Sequence, residues 1–420
     1  MPQSVVIVGG SLAGLMIGLQ LKRLGRKVTV LEQDPSSERS SYEAGIGSRT
    51  NVEAFLESYD VTGIQAALSS HSSQFGLRTY TKTLITGSNL KVSSWGHLYR
   101  ILRANFDGLA STSCPEPPPP QGEDGDARYV PGKRVTDLQY SDNIVTIHYT
   151  DVTSGKEDHI DADMIIGADG SHSTVRKLVG APTVKEYAGY VAWRGTVPER
   201  LVSKETADYF SDSVSVDLLR RSYLICYVIP TDHGSFEPGE RLLNFVWYYN
   251  VAESSDEMTQ IFTDINGTQH HNTVPRGLVK PEEWKRVRGA FKSRMNAPFA
   301  ELLSLTESPV VTKINDALCL QPTFFEGHGI IVGDALATLR PHTGSASEQA
   351  AFHCISLTPV WEGSKTLETW SREACIYGKR MWLLGKLAGE FGQGTAFSLL
   401  KSLVLYVVFL VRIKIGRPNV

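Results

Sequence analysis

"SVVIVGGSLAGLMIGLQLKRLGRKVTVLE", residues 4 to 32, holds two short β-branched runs separated by a glycine-rich turn and an apolar-periodic stretch. Ser4 to Val8 reads as a buried strand, the following residues through Leu24 as a helix, Gly25 as the turn that closes it, and Lys27 to Leu31 as a second strand ending at Glu32. Each glycine in "GGSLAG", residues 9 to 14, has its own task. Gly9 makes the tight turn, Gly14 lets the helix pack closely on the strand, and the helix N-terminus is set to receive a pyrophosphate. Ser11 stands where a second glycine is usual; its Cβ narrows the phosphate approach slightly, while its hydroxyl can donate to the phosphate. Glu32 lies 18 residues beyond Gly14, where a carboxylate suits a ribose 2′-hydroxyl and repels a 2′-phosphate. With strand, helix and acid in place, the stretch predicts a dinucleotide-binding βαβ unit.

The rest of the composition bounds the partners. A chain of 420 residues, 41% hydrophobic and 21% charged, can bury a large core in two or more domains. Its net charge of -3 supplies no general attraction for nucleic acid. Five scattered cysteines without a C-x-x-C pair argue for reduced thiols and against a cysteine-rich zinc site, and no H-x-H or H-E-x-x-H spacing suggests another metal. The apolar start lacks a basic leading segment and is broken by glycines, so it reads as folded protein rather than a signal peptide, with a cytoplasmic location expected.

Two further stretches carry chemistry. "DMIIGADGSHSTVR", residues 163 to 176, reads as a buried strand, a loop at Asp169-Gly170 and a helix start, because Val175, Arg176 and Leu178 fall at helical spacing instead of returning as a hairpin strand. "GIIVGDALATLRPHTG", residues 329 to 344, is the third. Together with "GGSLAG" and Glu32, in this order, these motifs resemble those of the flavoprotein aromatic hydroxylases, the single-component FAD monooxygenases related to para-hydroxybenzoate hydroxylase. "YAGYVAWRG" and "PGERLLNFVWYYN" are similar to the branch that includes 2,6-dihydroxypyridine 3-hydroxylase.

The resemblance implies an α/β fold, with a Rossmann-type, glutathione-reductase-like FAD domain, an antiparallel-sheet substrate domain and a C-terminal helical segment. It implies FAD contacts at Gly9, Gly10, Ser11, Ala13, Gly14, Glu32, Gly45, Asp169, Gly170, Asp334, Pro341, Gly344 and Ser347, with Asp334 on the ribityl chain and Asp169-Gly170 near both the flavin and a transient nicotinamide site. The pattern also departs from the family's. Leu336 and Ala337 replace an alanine and a histidine, Ala346 replaces a glycine, His353 stands for an aspartate, and Trp95 stands for an arginine whose phosphate contact Arg100 or Arg103 would take over. The implied activity is insertion of one atom of O2 into an electron-rich aromatic, heteroaromatic or enolic small molecule through a C4a-hydroperoxyflavin, with NADPH or NADH as electron donor. The alternatives are a flavin dehydrogenase without oxygen insertion, or a flavin-bearing scaffold without redox function.

Alternating apolar runs from Tyr187 to Tyr249 predict an antiparallel sheet over a pocket. Arg194, inside one of these runs, needs a partner or a ligand. It is the expected contact for an anionic substrate or for a polar flavin intermediate, and Tyr223 or Tyr227 would orient a phenolate-like ring. The expected division gives residues 1–75, 95–182 and 319–385 to the FAD domain, 76–94 and 183–318 to the substrate domain, and 386–420 to an apolar C-terminal helix. Residues 111–128, with four consecutive prolines, read as a solvated surface loop. The uncharged run from Ser402 to Val411, followed by Arg412, Lys414 and Arg417, is short for a bilayer span. It is read first as a helix docked on the enzyme, and otherwise as a peripheral membrane contact through residues 396–417.

Overall fold

The strand Ser4–Val8 sits inside a six-stranded sheet, flanked in parallel by Met164–Gly167 and Lys27–Leu31. The computed structural model that shows this describes residues 2–39, 43–77 and 79–416, and for 70–90 the backbone. Gly329–Ile331 continues the sheet beyond Met164–Gly167 and Ala127–Val130 beyond Lys27–Leu31, so the motif-bearing strand ends share one edge. The inner strands are apolar throughout because both faces are covered. The helix Leu12–Arg23 packs with Phe55, Phe106, Leu357 and Trp370 on one side, and Val135, Val145 and Ile147 close the other from a three-stranded sheet.

The second large sheet is mostly antiparallel. Its order runs Thr273–Val274, Val310–Cys319, Thr183–Pro198, Leu242–Asn250, Ser222–Ile229, Ser213–Leu219, Leu68–Leu77, Thr79–Ser94 and Gly45–Gly47, with Ser213–Leu219 and Leu68–Leu77 the parallel pair. This sheet therefore takes in Gly45–Gly47 and begins its long hairpin at Leu68, ahead of the expected boundary at residue 76.

Period-two alternation sorts its faces. Val191, Trp193, Val197, Leu224, Cys226, Leu243, Phe245 and Trp247 pack on Trp284, Val287, Phe299 and Leu302 from two covering helices. The intervening residues point the other way, toward the FAD-domain motifs.

Two helices end the chain. Leu367–Gln393 runs unbroken across the expected 385/386 boundary, and Ala396–Lys414 folds back against it. The loop at 111–128 is tethered rather than free: Asp124 accepts from Arg23 at 2.5 Å and lies 3.4 Å from the Lys22 ammonium. Its last two residues already belong to the strand Ala127–Val130.

Candidate active site

A cavity of about 990 Å³ opens between the two sheets. Its floor on one side is the alternate set of strand residues left over from the core: Arg194, Thr196, Tyr223, Ile225, Tyr227, Asn244, Val246 and Tyr248. Strand register sets them in rows. Arg194 lies opposite Val246, which lies opposite Ile225; Thr196, Asn244 and Tyr227 form the next row. The opposite wall comes from Gly45 and Gly47 and from Asp334, Pro341, Gly344 and Ser347 of the third motif and the helix that follows it.

The dinucleotide end is made of backbone. Gly9 holds a φ of +105°, and a Cβ there would meet the Ala168 carbonyl oxygen at 2.5 Å. At Gly14 a Cβ would lie 1.9 Å from the Gly9 carbonyl oxygen, so the helix can begin this close to the strand only with glycine. Ser11 is the N-cap of that helix, but its side chain makes no capping bond, which leaves the first-turn N–H groups of Leu12 and Ala13 as anion-binding donors. Glu32 is buried. It accepts from the Gly10 N–H at 2.8 Å and from the Asp34 N–H at 2.9 Å, so the acid at the strand end also ties down the glycine turn.

Asp334 faces the cavity with no hydrogen bond to its carboxylate among the described residues, and burial pushes its pKa up to about 6. A carboxylate set free of protein partners in an otherwise closed wall is what a hydroxyl-bearing chain requires. Ser347 donates to the Gly47 carbonyl at 2.6 Å, and a Cβ on Gly47 would meet the Gly344 carbonyl at 2.7 Å, so these glycines bring two backbones together along the wall. The residues present fit FAD: glycine turn and helix end for the pyrophosphate, Glu32 for a ribose, Asp334 for a polyol, and a glycine-lined slot for a flat ring.

Arg194 is not the buried, unpaired cation that its apolar strand suggested. Its side chain is exposed into the cavity, and its one protein hydrogen bond described is to Thr312 Oγ1 at 3.3 Å. No carboxylate pairs with it among the described residues. Arg340 is the contrast. It also lines the cavity, but its Nε donates to Asp316 at 2.6 Å and both groups are buried. Tyr223 donates to or accepts from Nδ1 of His342, and Tyr190 holds Nε2 of the same ring. The Tyr248 ring lies 4.4 Å from that imidazole. Burial, then the Arg340 charge, lowers the His342 pKa to about 3, so the ring is neutral with one N–H and one acceptor. Tyr227 is raised to about 12, chiefly by burial, and stands against Gly45, where a Cβ would meet its ring at 2.7 Å.

Other expected residues lie elsewhere or do other work. The Asp169 carboxylate accepts from the N–H groups of Thr174 and Val175 at 2.6 and 3.0 Å, so it caps the short helix Thr174–Leu178. Asp169 adjoins the Gly9 turn, but neither it nor Gly170 lines the cavity. Arg100 and Arg103 are committed to protein. Arg100 donates to the Asp232 carbonyl and to Glu38, while Arg103 grips Asp107 with two bonds and stacks on Tyr129 at 3.6 Å. Both guanidiniums are engaged by protein acceptors where the resemblance has one of them hold a phosphate in place of the arginine that Trp95 supplants, and local ion-pair spacing such as Arg103 to Asp107 is a signal of such engagement. His353 is buried and neutral, lowered to about 3 by burial, and accepts from the Gly333 N–H at 2.9 Å. It holds the turn that carries Asp334.

His342, Tyr190, Tyr248, Asn244 and Arg49 escaped the reading of the sequence. Tyr190 was visible in principle, four residues from Arg194 and so on the same strand face; His342 follows Pro341 directly. The long helix also reaches the site. Gly385, Gly389 and Gly392 share one helical face, and a Cβ on Gly389 would meet His342 Nε2 at 2.7 Å while one on Gly392 would meet Tyr223 at 2.2 Å.

The comparisons agree with this geometry. Residues 3–102 match the family described as FAD binding domain, and residues 187–316 match FAD binding domain-like. The chain is 28% identical to 2,6-dihydroxypyridine 3-monooxygenase of Paenarthrobacter nicotinovorans, covering 94% of this chain and 92% of that one. It is 30% identical to 6-hydroxynicotinate 3-monooxygenase of Pseudomonas fluorescens over 46% of this chain and 47% of the relative. The solved structure of 2,6-dihydroxypyridine-3-hydroxylase from Arthrobacter nicotinovorans superposes with a TM-score of 0.78 at 27% identity, covering 94% of this chain and 95% of that one. A glycine turn and acid built for a dinucleotide, joined to a sheet-floored cavity and to full-length likeness with ring hydroxylases, carry one conclusion: the chain is an FAD-dependent monooxygenase similar to the aromatic hydroxylases, with NAD(P)H as electron donor.

Proposed function

We propose that this monooxygenase hydroxylates a small ring that carries an ionisable hydroxyl, a hydroxypyridine or phenol, bound as its anion against Arg194. The observation that carries the reading is the Arg194 guanidinium, open to the cavity and without a carboxylate partner among the described residues, in the same floor as Tyr223 and Tyr227. A desolvated cation facing a cavity favours an anion there and lowers the cost of ionising the ring hydroxyl. The hydroxypyridine substrates named for two relatives support the same class.

FAD, once bound and reduced by NAD(P)H, supplies oxygen activated from O2; the chain's own groups do the rest. Gly9 to Gly14 and Glu32 hold the dinucleotide, while Asp334, Pro341 and Gly344 hold its ring end. His342 Nδ1–H donates to Tyr223 while Nε2 accepts from Tyr190, so Tyr223 donates its hydroxyl to the ring oxygen, and Arg194 stabilises the anion left there when that oxygen gives its proton to water. A neutral imidazole between two phenols fixes the direction of the Tyr223 hydroxyl without placing a net charge in the wall. Val246, Ile225 and the long helix keep water from the ring. Turnover of a hydroxypyridine under labelled O2 tests the proposal: one labelled atom in the product is expected, with no turnover of the methoxy analogue, and equal turnover of the two would remove the anion from the argument.

We also propose that the protein is cytoplasmic and touches lipid through the helix Ala396–Lys414. That helix is long and apolar enough by length and composition to cross a bilayer, but charges at Lys401, Arg412 and Lys414 suit an interfacial position. It packs against the long helix, as expected of a docked helix, yet much of its apolar surface stays uncovered: Phe397, Leu400, Val404, Val408 and Val411 are exposed, and Phe409 is its buried residue. Flotation with anionic vesicles, expected for the wild type and lost in Val404→Ser/Val408→Ser/Val411→Ser, checks it.

A further inference from the structure

The cavity wall has a third part that neither the flavin motifs nor the tyrosine floor explains. Leu384, Leu387, Ala388 and Phe391 line it from the long helix, and Leu399 and Leu403 from the C-terminal helix. Among the described residues, no polar side chain from either helix joins them in the lining. This wall reaches the surface, since Phe391 is 65% and Leu403 44% exposed. It also reaches the chemistry: the glycine face of the long helix lies against His342 and Tyr223, so the apolar wall and the tyrosine floor are parts of one space. The opposite character appears at Arg194, which has no carboxylate partner among the described residues, and at Lys91 and Arg276, which are paired with Glu53 and Glu43. A cavity with cations in one part and six apolar side chains in another matches an amphiphile better than a bare polar ring.

We propose that the substrate is a ring with an ionisable hydroxyl that also carries a hydrocarbon tail, the ring held at Arg194 and the tail along Leu384, Leu387, Phe391, Leu399 and Leu403. The inference rests on the hydroxylase reading for the ring and extends it to the tail. Large apolar side chains left in water at a cavity mouth are covered when such a tail passes between them, and each buried methylene adds to the gain. The mouth is continuous with the apolar surface of the C-terminal helix at Leu400, Val404 and Val407, so an amphiphile dissolved in lipid reaches the cavity along an apolar path.

Calorimetric binding of a hydroxypyridine and of its hexyl derivative to the FAD-loaded full chain tests the tail site. Wild type should bind the hexyl compound at least tenfold more tightly than the parent. Leu403→Asp should bring that ratio close to one. Leu405→Asp, two residues along the same helix but outside the cavity lining, should leave the ratio intact, which removes general effects of a charge on the helix and of ligand partitioning. A wild-type ratio near one, or equal loss in both variants, overturns the proposal. So does a Leu403→Asp protein that keeps the ratio and changes only its sedimentation from dimer to monomer, since the wall would then belong to a second copy. The two readings separate in the product. Labelled oxygen in the parent ring with a ratio near one leaves the hydroxylase and removes the tail, whereas a tenfold ratio without labelled product upholds the tail site and removes ring hydroxylation.

Discussion

The cavity and the glycine turn that adjoins its third motif have two kinds of wall. At the dinucleotide end, the shape is set by missing side chains: Gly9, Gly14, Gly47 and Gly344 allow main chain to approach main chain, and the groups offered to a ligand are N–H donors and one or two carboxylates. At the substrate end, the shape is set by side chains that alternate off a twisted sheet and by two helices laid across it. Within the first, the glycine turn of residues 9–14 is a property of one short segment. The second exists only when strands far apart in the chain are brought into register. Arg340 and Arg194 make the same contrast in one residue type, since the first is locked to Asp316 and the second is left open to the cavity.

That contrast can be broken by experiment. Arg340→Gln leaves the buried Asp316 carboxylate uncompensated and should cost about 3–5 kcal/mol of stability in chemical denaturation. Arg194→Gln should cost almost none. If the two variants unfold at the same denaturant concentration, the division between a structural and a working arginine is wrong. Gly14→Val drives a side chain into the Gly9 carbonyl and should remove about 1–3 kcal/mol, with the purified protein colourless because the pyrophosphate site is displaced. A yellow, normally stable Gly14→Val protein would place the dinucleotide elsewhere.

Arg194→Gln should instead keep its flavin and lose at least tenfold in product formation, about 1.4 kcal/mol in the barrier. NAD(P)H consumption without matching product would sharpen the assignment to substrate binding or oxygen transfer; wild-type product formation would end it. The smallest effect is in pH. Burial holds the Asp334 carboxyl up near 6, and hydroxyl donors from a ribityl chain favour its ionised form. Binding then releases a proton, so FAD affinity should rise several-fold as pH rises through about 6. The protein without FAD should lose stability over the same rise, because its folded state favours the protonated acid. Asp334→Asn should flatten both profiles, and a wild-type FAD affinity independent of pH from 5 to 7 would take Asp334 off the cofactor.

Much of the first wall was legible in residues 4 to 32. Gly9 and Gly14 have steric reasons that a local motif exposes, and Glu32 falls at the strand end because strand and helix lengths are regular. Asp169 was legible in place but not in work: its position after the strand was readable, whereas its bonds to Thr174 and Val175 depend on how the next turn closes. Arg100 and Arg103 were read as available cations. Their actual partners, the Asp232 carbonyl and Glu38 for Arg100 and the Asp107 carboxylate for Arg103, show that an arginine's charge says little until its neighbours are known.

By itself the sequence determined the dinucleotide-binding βαβ unit, the order of the three motifs and the alternating strands of the second sheet, because glycine sterics, helix periodicity and strand period two act over a few residues. Tertiary structure alone decided which alternate face met the cavity, that His342 would lie between Tyr190 and Tyr223, and that the helices at 367–393 and 396–414 would supply an apolar wall. Those pairings join residues up to 152 positions apart, and their energy comes from packing and desolvation, which a local pattern does not contain.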